Sequence, residues 1–175
     1  MKVLEKVGIA LARWHLREVG ERPFHLLQAL RSVRRILVGL PPGDISREEL
    51  RMLTDSLSTK HVTLLCVERP PVPGVRWEVW TLTSQDWTLW RLPKKKLLQR
   101  LRTSGYDLAV DLHLPFFLPS AYLCGASGAS LRVSVDPEAP FPLFNVRYST
   151  KATSLRERCL ALVDFFQSLR EGSVL

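Results

Sequence analysis

Tyr106-Asp107-Leu108-Ala109-Val110-Asp111-Leu112-His113-Leu114 is the stretch on which the fold turns. It is a mostly apolar run, opened by Gly105 and closed by Pro115, and it reads as a strand buried on both faces. Immediately upstream, residues 94–103 form a short basic helix carrying Leu97, Leu98 and Leu101, which Gly105 stops. Downstream, a helix over about 119–126 leads to a further strand at 131–135. The same alternation continues outward. Residues 35–40 are a short apolar strand that ends in Pro41-Pro42-Gly43-Asp44, a turn sequence. Ser46-Arg47-Glu48-Glu49 is a capping box, and Leu50, Leu53 and Leu57 give the helix behind it one apolar face.

Residues 61–67 are a second apolar strand, and 75–80, after a Pro-rich link, alternate as an edge strand does. A second capping box, Ser154-Leu155-Arg156-Glu157, opens the last helix, with Leu155, Cys159, Leu162, Val163, Phe166 and Leu169 on one side. Strands separated by helices of this size need crossover connections. The expectation is a single Rossmann-like three-layer α/β domain over residues 34–175, with about five mostly parallel strands and helices on both faces. Residues 1–33 are expected to add a basic helical extension packed on that domain.

Composition narrows the function classes. The chain has 175 residues, 46% hydrophobic and 24% charged, enough to bury a core and unlike a disordered tail. Its three cysteines, Cys66, Cys124 and Cys159, lie far apart with no CxxC. That excludes a disulfide scaffold and a zinc knuckle and suits a reducing, cytoplasmic location. The N-terminus has no unbroken apolar region and is not expected to be a signal peptide. Pro115 and Pro119 interrupt the most apolar stretch, so no transmembrane segment is expected.

The net charge is +8 and it is clustered. Residues 1–35 hold Lys2, Lys6, Arg13, Arg17, Arg22, Arg31, Arg34 and Arg35 against Glu5, Glu18 and Glu21. Residues 91–102 hold Arg91, Lys94, Lys95, Lys96, Arg100 and Arg102 and no acid. Clustered base attracts phosphate, nucleic acid or anionic lipid. In the first helix Leu4, Val7, Leu11 and Trp14 recur at helical spacing. This stripe is expected to pack on the core or a partner in preference to a membrane surface.

The segments ILVGLPPGD and SGYDLAVDLHLPFFLPSAYLCGASGASLRVSV carry a resemblance. Over about residues 34–136 the chain resembles the N-terminal, acceptor-side half of heptosyltransferase-like glycosyltransferases of family 9, which have the GT-B fold. It is also similar to short stand-alone bacterial proteins that carry only such a half. The resemblance implies that Asp44, in the Gly43-Asp44 turn, is the base that activates an acceptor hydroxyl. It also implies that sugar nucleotide binds mainly in a second Rossmann-like domain, for which 175 residues leave no room. The family's Pro-containing helix start is here the charged Ser46-Arg47-Glu48-Glu49, which implies a different acceptor surface.

Other candidates come from the residues alone. Asp111 and His113 are two apart on the strongest strand, so they share a face and can form a polar cluster with Asp44 at the strand ends. Lys94, Lys95 and Lys96 are candidates for holding an anion. Trp77, Trp80, Trp87 and Trp90 pack in the core or at a sheet edge, meet a protein partner, or stack on nucleobases or sugars. No histidine stands at metal-ligand spacing, and there is no GxGxxG or P-loop signature, so neither metal nor cofactor is expected.

The function expected is a non-catalytic, glycosyltransferase-like half domain acting as a binding or assembly module with a protein partner. The alternatives are an RNA- or ribosome-associated basic protein, and an acceptor-side glycosyltransferase subunit that needs a separate donor-binding partner.

Overall fold

The computed structural model describes residues 2–20, 25–42, 46–57, 61–67 and 77–171. Six strands form one all-parallel sheet: β1 (Arg35–Leu40), β2 (His61–Val67), β3 (Glu78–Leu82), β4 (Leu108–Asp111), β5 (Leu131–Ser134) and β6 (Val146–Arg147). Their order is β3-β2-β1-β4-β5-β6. The helices are α1 (Lys2–His15), α2 (Arg17–Gly20), α3 (Leu26–Arg31), α4 (Arg47–Ser56), α5 (Lys95–Ser104), α6 (Leu118–Ala126) and α7 (Leu155–Glu171). The chain is thus an α/β, Rossmann-like domain with an N-terminal helix. The sheet has six strands where the sequence suggests about five, because β6 is two residues long and too short to show a period.

Why these strands are central follows from their burial. Five of the six residues of β1 and all four of β4 and β5 are buried, as a sheet covered on both faces requires. Leu108, Val110, Val38 and Leu64 face one layer, built from α3, α4 and α7 around Phe166. Leu37, Leu65, Trp80 and Ala109 face the other, built from α1, α5 and α6. Each fully buried leucine contributes roughly 1.5–3 kcal/mol. The Asp107 carboxylate accepts from the amides of Arg34 at 2.8 Å and Arg35 at 2.9 Å, which ties the start of β1 to the start of β4.

Both capping boxes form. Ser46 and Glu49 exchange bonds of 2.8 and 3.2 Å at α4, and Ser154 and Glu157 bonds of 3.1 and 3.2 Å at α7. Gly105, at φ 64°, takes the left-handed conformation that closes α5.

The first helix packs on the domain with Gly8, Ala12 and, just after it, Leu16 buried and Leu11 of the stripe partly buried, while Leu4, Val7 and Trp14 stay exposed. The reason is how closely α1 lies to its neighbours. A Cβ on Gly8 would meet the Trp90 carbonyl oxygen at 2.4 Å and Leu118 at 2.7 Å, and a Cβ on Gly125 of α6 would meet Leu16 at 2.8 Å. Only small side chains fit such an approach, so most of the larger apolar stripe is left on the outside.

Candidate functional site

All six strands run the same way, so their carboxyl ends form one edge, and α4, α5, α6 and α7 begin there. The strand order reverses between β1 and β4, and open sheets of this order hold ligands in the crevice outside that point. Gly39 of β1 and Asp111 of β4 are partners in register across it.

Asp111 is 1% exposed and organises a polar cluster in an otherwise apolar layer. Its Oδ1 accepts from His113 Nδ1 at 2.6 Å, from Ser120 Oγ at 3.0 Å and from the His113 amide at 3.4 Å. Several donors are what a buried carboxylate needs to offset its lost hydration. The chain fold explains the gathering. Asp111 is the last residue of β4, His113 follows two residues on, and Ser120 lies in the first turns of α6. Room for it comes from β1, since a Cβ on Gly39 would lie 2.2 Å from Ser120 Oγ and 2.7 Å from Asp111 Oδ1.

A carboxylate only accepts, so His113 Nδ1 donates to it. In the neutral tautomer this bond leaves the lone pair on Nε2. His113 is 5% exposed and Nε2 has no hydrogen-bond partner among the described residues. Phe117 stacks on the imidazole with centroids 5.0 Å apart, and the Arg91 guanidinium lies 5.3 Å from the Phe117 centroid. Arg91 has φ 58°, a left-handed conformation that costs a non-glycine residue about 1 kcal/mol. The cluster places a buried imidazole nitrogen, backed by a carboxylate, just beyond the carboxyl end of β4.

The sequence candidates fall in three groups. Asp111 and His113 are brought together as just described. Gly43 and Asp44 lie outside the described residues. Lys94, Lys95 and Lys96 are exposed where the chain enters α5.

The tryptophans divide. Trp80 is 3% exposed, with its indole N–H donating to Glu78 at 2.8 Å and Arg100 over its ring at 4.1 Å. Its place is in the core, not at a partner surface. Glu78 also accepts from Arg100 at 2.6 Å, and these bonds, with the one from Trp80 foremost, hold its carboxyl below the usual range. Trp77 and Trp87 are half-buried against opposite layers, and Trp90 remains exposed.

Ser120 and Gly39 are site residues that sequence reasoning missed. Their signals were a glycine inside an apolar strand and a lone hydroxyl in an apolar helix start. A separate groove of about 500 Å³ lies between α1, α5 and α6, lined by His15, Leu92, Lys95, Leu98, Arg102 and Tyr122 among others. Burial raises the Tyr122 phenol above its ordinary value. Among the described residues no group of three or more His, Cys, Asp or Glu is placed to hold a metal ion. No helix among them is long and apolar enough to cross a membrane. Comparison of the chain with protein-family models, with curated proteins and with solved structures gives no match.

Proposed function

We propose that the chain is a binding module built like the acceptor-side half of a two-lobed glycosyltransferase, which takes a hydroxyl-rich ligand at the β1–β4 crevice and works with a protein partner. The observation that carries this reading is the Asp111–His113–Ser120 cluster, whose Nε2 has no partner among the described residues, at the point where the strand order reverses. The resemblance in residues 34–136 supplies the ligand class, a sugar-type acceptor. Sugar nucleotide belongs to a second lobe on this reading, so the isolated chain binds acceptor without turning it over.

Isothermal titration of the full chain separates the possibilities. Simple glycosides are expected to give heat that His113→Gln abolishes, and nucleoside-diphosphate sugars are expected to give none. Heat from a nucleotide sugar alone, or glycoside binding unchanged in His113→Gln, would overturn the reading.

A further inference from the structure

α1 leaves Val3, Leu4, Val7 and Trp14 exposed, the last 62% exposed. A second apolar element adjoins it. Residues 87–93 fold back on themselves: the Thr88 amide donates to the Leu92 carbonyl at 2.8 Å, the Arg91 amide to the Thr88 carbonyl at 2.9 Å, and Trp87 bridges Pro93. Leu89 and Trp90 are the central pair of the resulting turn, positions that ordinarily go to Gly, Pro, Asn, Asp or Ser. Leu89 is 73% exposed and Trp90 is exposed beside it. The turn touches α1, since the Trp90 carbonyl is the nearest atom to the missing Cβ of Gly8.

Two segments distant in sequence, whose backbones meet at Gly8, thus each expose large apolar side chains. Cations flank both. Lys6, Arg13 and Arg17 are exposed on and just after α1, and Lys94, Lys95 and Lys96 are exposed where the turn runs into α5. His15, Thr88 and Lys95 line one groove, which places the three segments side by side. Arg17 lies 5.8 Å from the Trp14 centroid, so apolar and cationic groups interleave.

We propose that this face docks on an anionic lipid bilayer. α1 lies in the plane of the surface, its apolar stripe and the Leu89-Trp90 tip enter the acyl boundary, and the lysines and arginines meet headgroup phosphates. The charge pattern selects a bilayer over a protein. Protein interfaces deplete lysine around their apolar cores. A lipid surface rewards apolar prongs ringed by cations and tolerates long basic side chains that reach outward. The inference rests on this surface alone and not on the ligand reading of the β1–β4 crevice.

The test is co-sedimentation of the full chain with phosphatidylcholine vesicles, with and without phosphatidylglycerol. Retention is expected on the anionic vesicles, weaker by roughly tenfold or more on the neutral ones, and falling as salt rises. Leu89→Ser with Trp90→Ser, and separately Val7→Ser with Trp14→Ser, are each expected to weaken retention by roughly tenfold. These side chains are exposed, so a thermal melt close to the parent's shows that each pair still folds. Equal retention on both vesicle types, retention on neither, or parent-like binding by both variants would overturn the proposal. So would a concentration-dependent dimer lost in the Val7→Ser, Trp14→Ser variant, which assigns the face to a second copy of the chain.

Discussion

Asp111 holds its carboxylate inside the sheet because Gly39, its register partner on β1, has no side chain. A methyl group on residue 39 would stand where Ser120 Oγ and Asp111 Oδ1 now meet. The Gly39–Asp111 register pair and the polar cluster are therefore one construction, shared between two strands and a helix.

Gly39→Ala is expected to lower stability by about 2 kcal/mol, as overpacking of a filled interior does. Adding Ser120→Ala removes the nearer obstacle and is expected to recover part of the loss. Urea unfolding of the two single variants and the double variant measures the coupling.

Asp111→Ala strands two buried donors, His113 Nδ1 and Ser120 Oγ. The expected cost is about 3 kcal/mol, well above the roughly 1 kcal/mol expected for Ser120→Ala, because unpaired buried groups keep their desolvation penalty. The same urea midpoints check the order, and equal costs would contradict the bonding scheme.

Ser46→Ala at the start of α4 removes the acceptor of the Glu49 amide. The expected loss is about 1 kcal/mol. Hydrogen exchange of the first amides of α4 is expected to speed up more than that of β1, which localises the effect.

The cysteines give an alkaline signature. Burial pushes the Cys66 thiol up to about 11, and burial with the nearby Glu49 carboxylate pushes Cys159 up to about 12. Unfolded thiols ionise near about 8.5. The native state thus favours the protonated form, so its contribution is complete below about 8.5 and is lost as pH rises toward the native values. The thermal midpoint is expected to fall above about pH 9, and to fall less steeply in Cys159→Ala. A thiol reagent is expected to leave native Cys66, Cys124 and Cys159 untouched, since all three are buried.

Much of the fold was legible because its signals are local. The apolar runs in β1, β2, β4 and β5 bury both faces of each strand, and the Ser46 and Ser154 boxes mark helix starts by chemistry confined to four residues. Asp111 and His113 were legible as a pair from their spacing of two, although β4 ends at Asp111 and His113 lies just beyond it. What stayed hidden depends on contacts across the fold. Ser120 joins the cluster only through the turn between β4 and α6, and Gly39 matters only through its partner in register. The full burying face of α1 stayed hidden for the same reason. Periodicity finds an apolar stripe, but the close approach at Gly8 and Gly125, which periodicity cannot see, decides which stripe is covered.

The most direct measurement is the imidazole ¹H–¹⁵N spectrum of the full chain during titration with a simple methyl glycoside. The account predicts that the His113 Nε2 resonance shifts as the glycoside fills the β1–β4 crevice, and that the shift disappears in Asp111→Asn, where the ring loses its carboxylate. A His113 signal that stays fixed at saturating glycoside, while the protein remains folded, would contradict it.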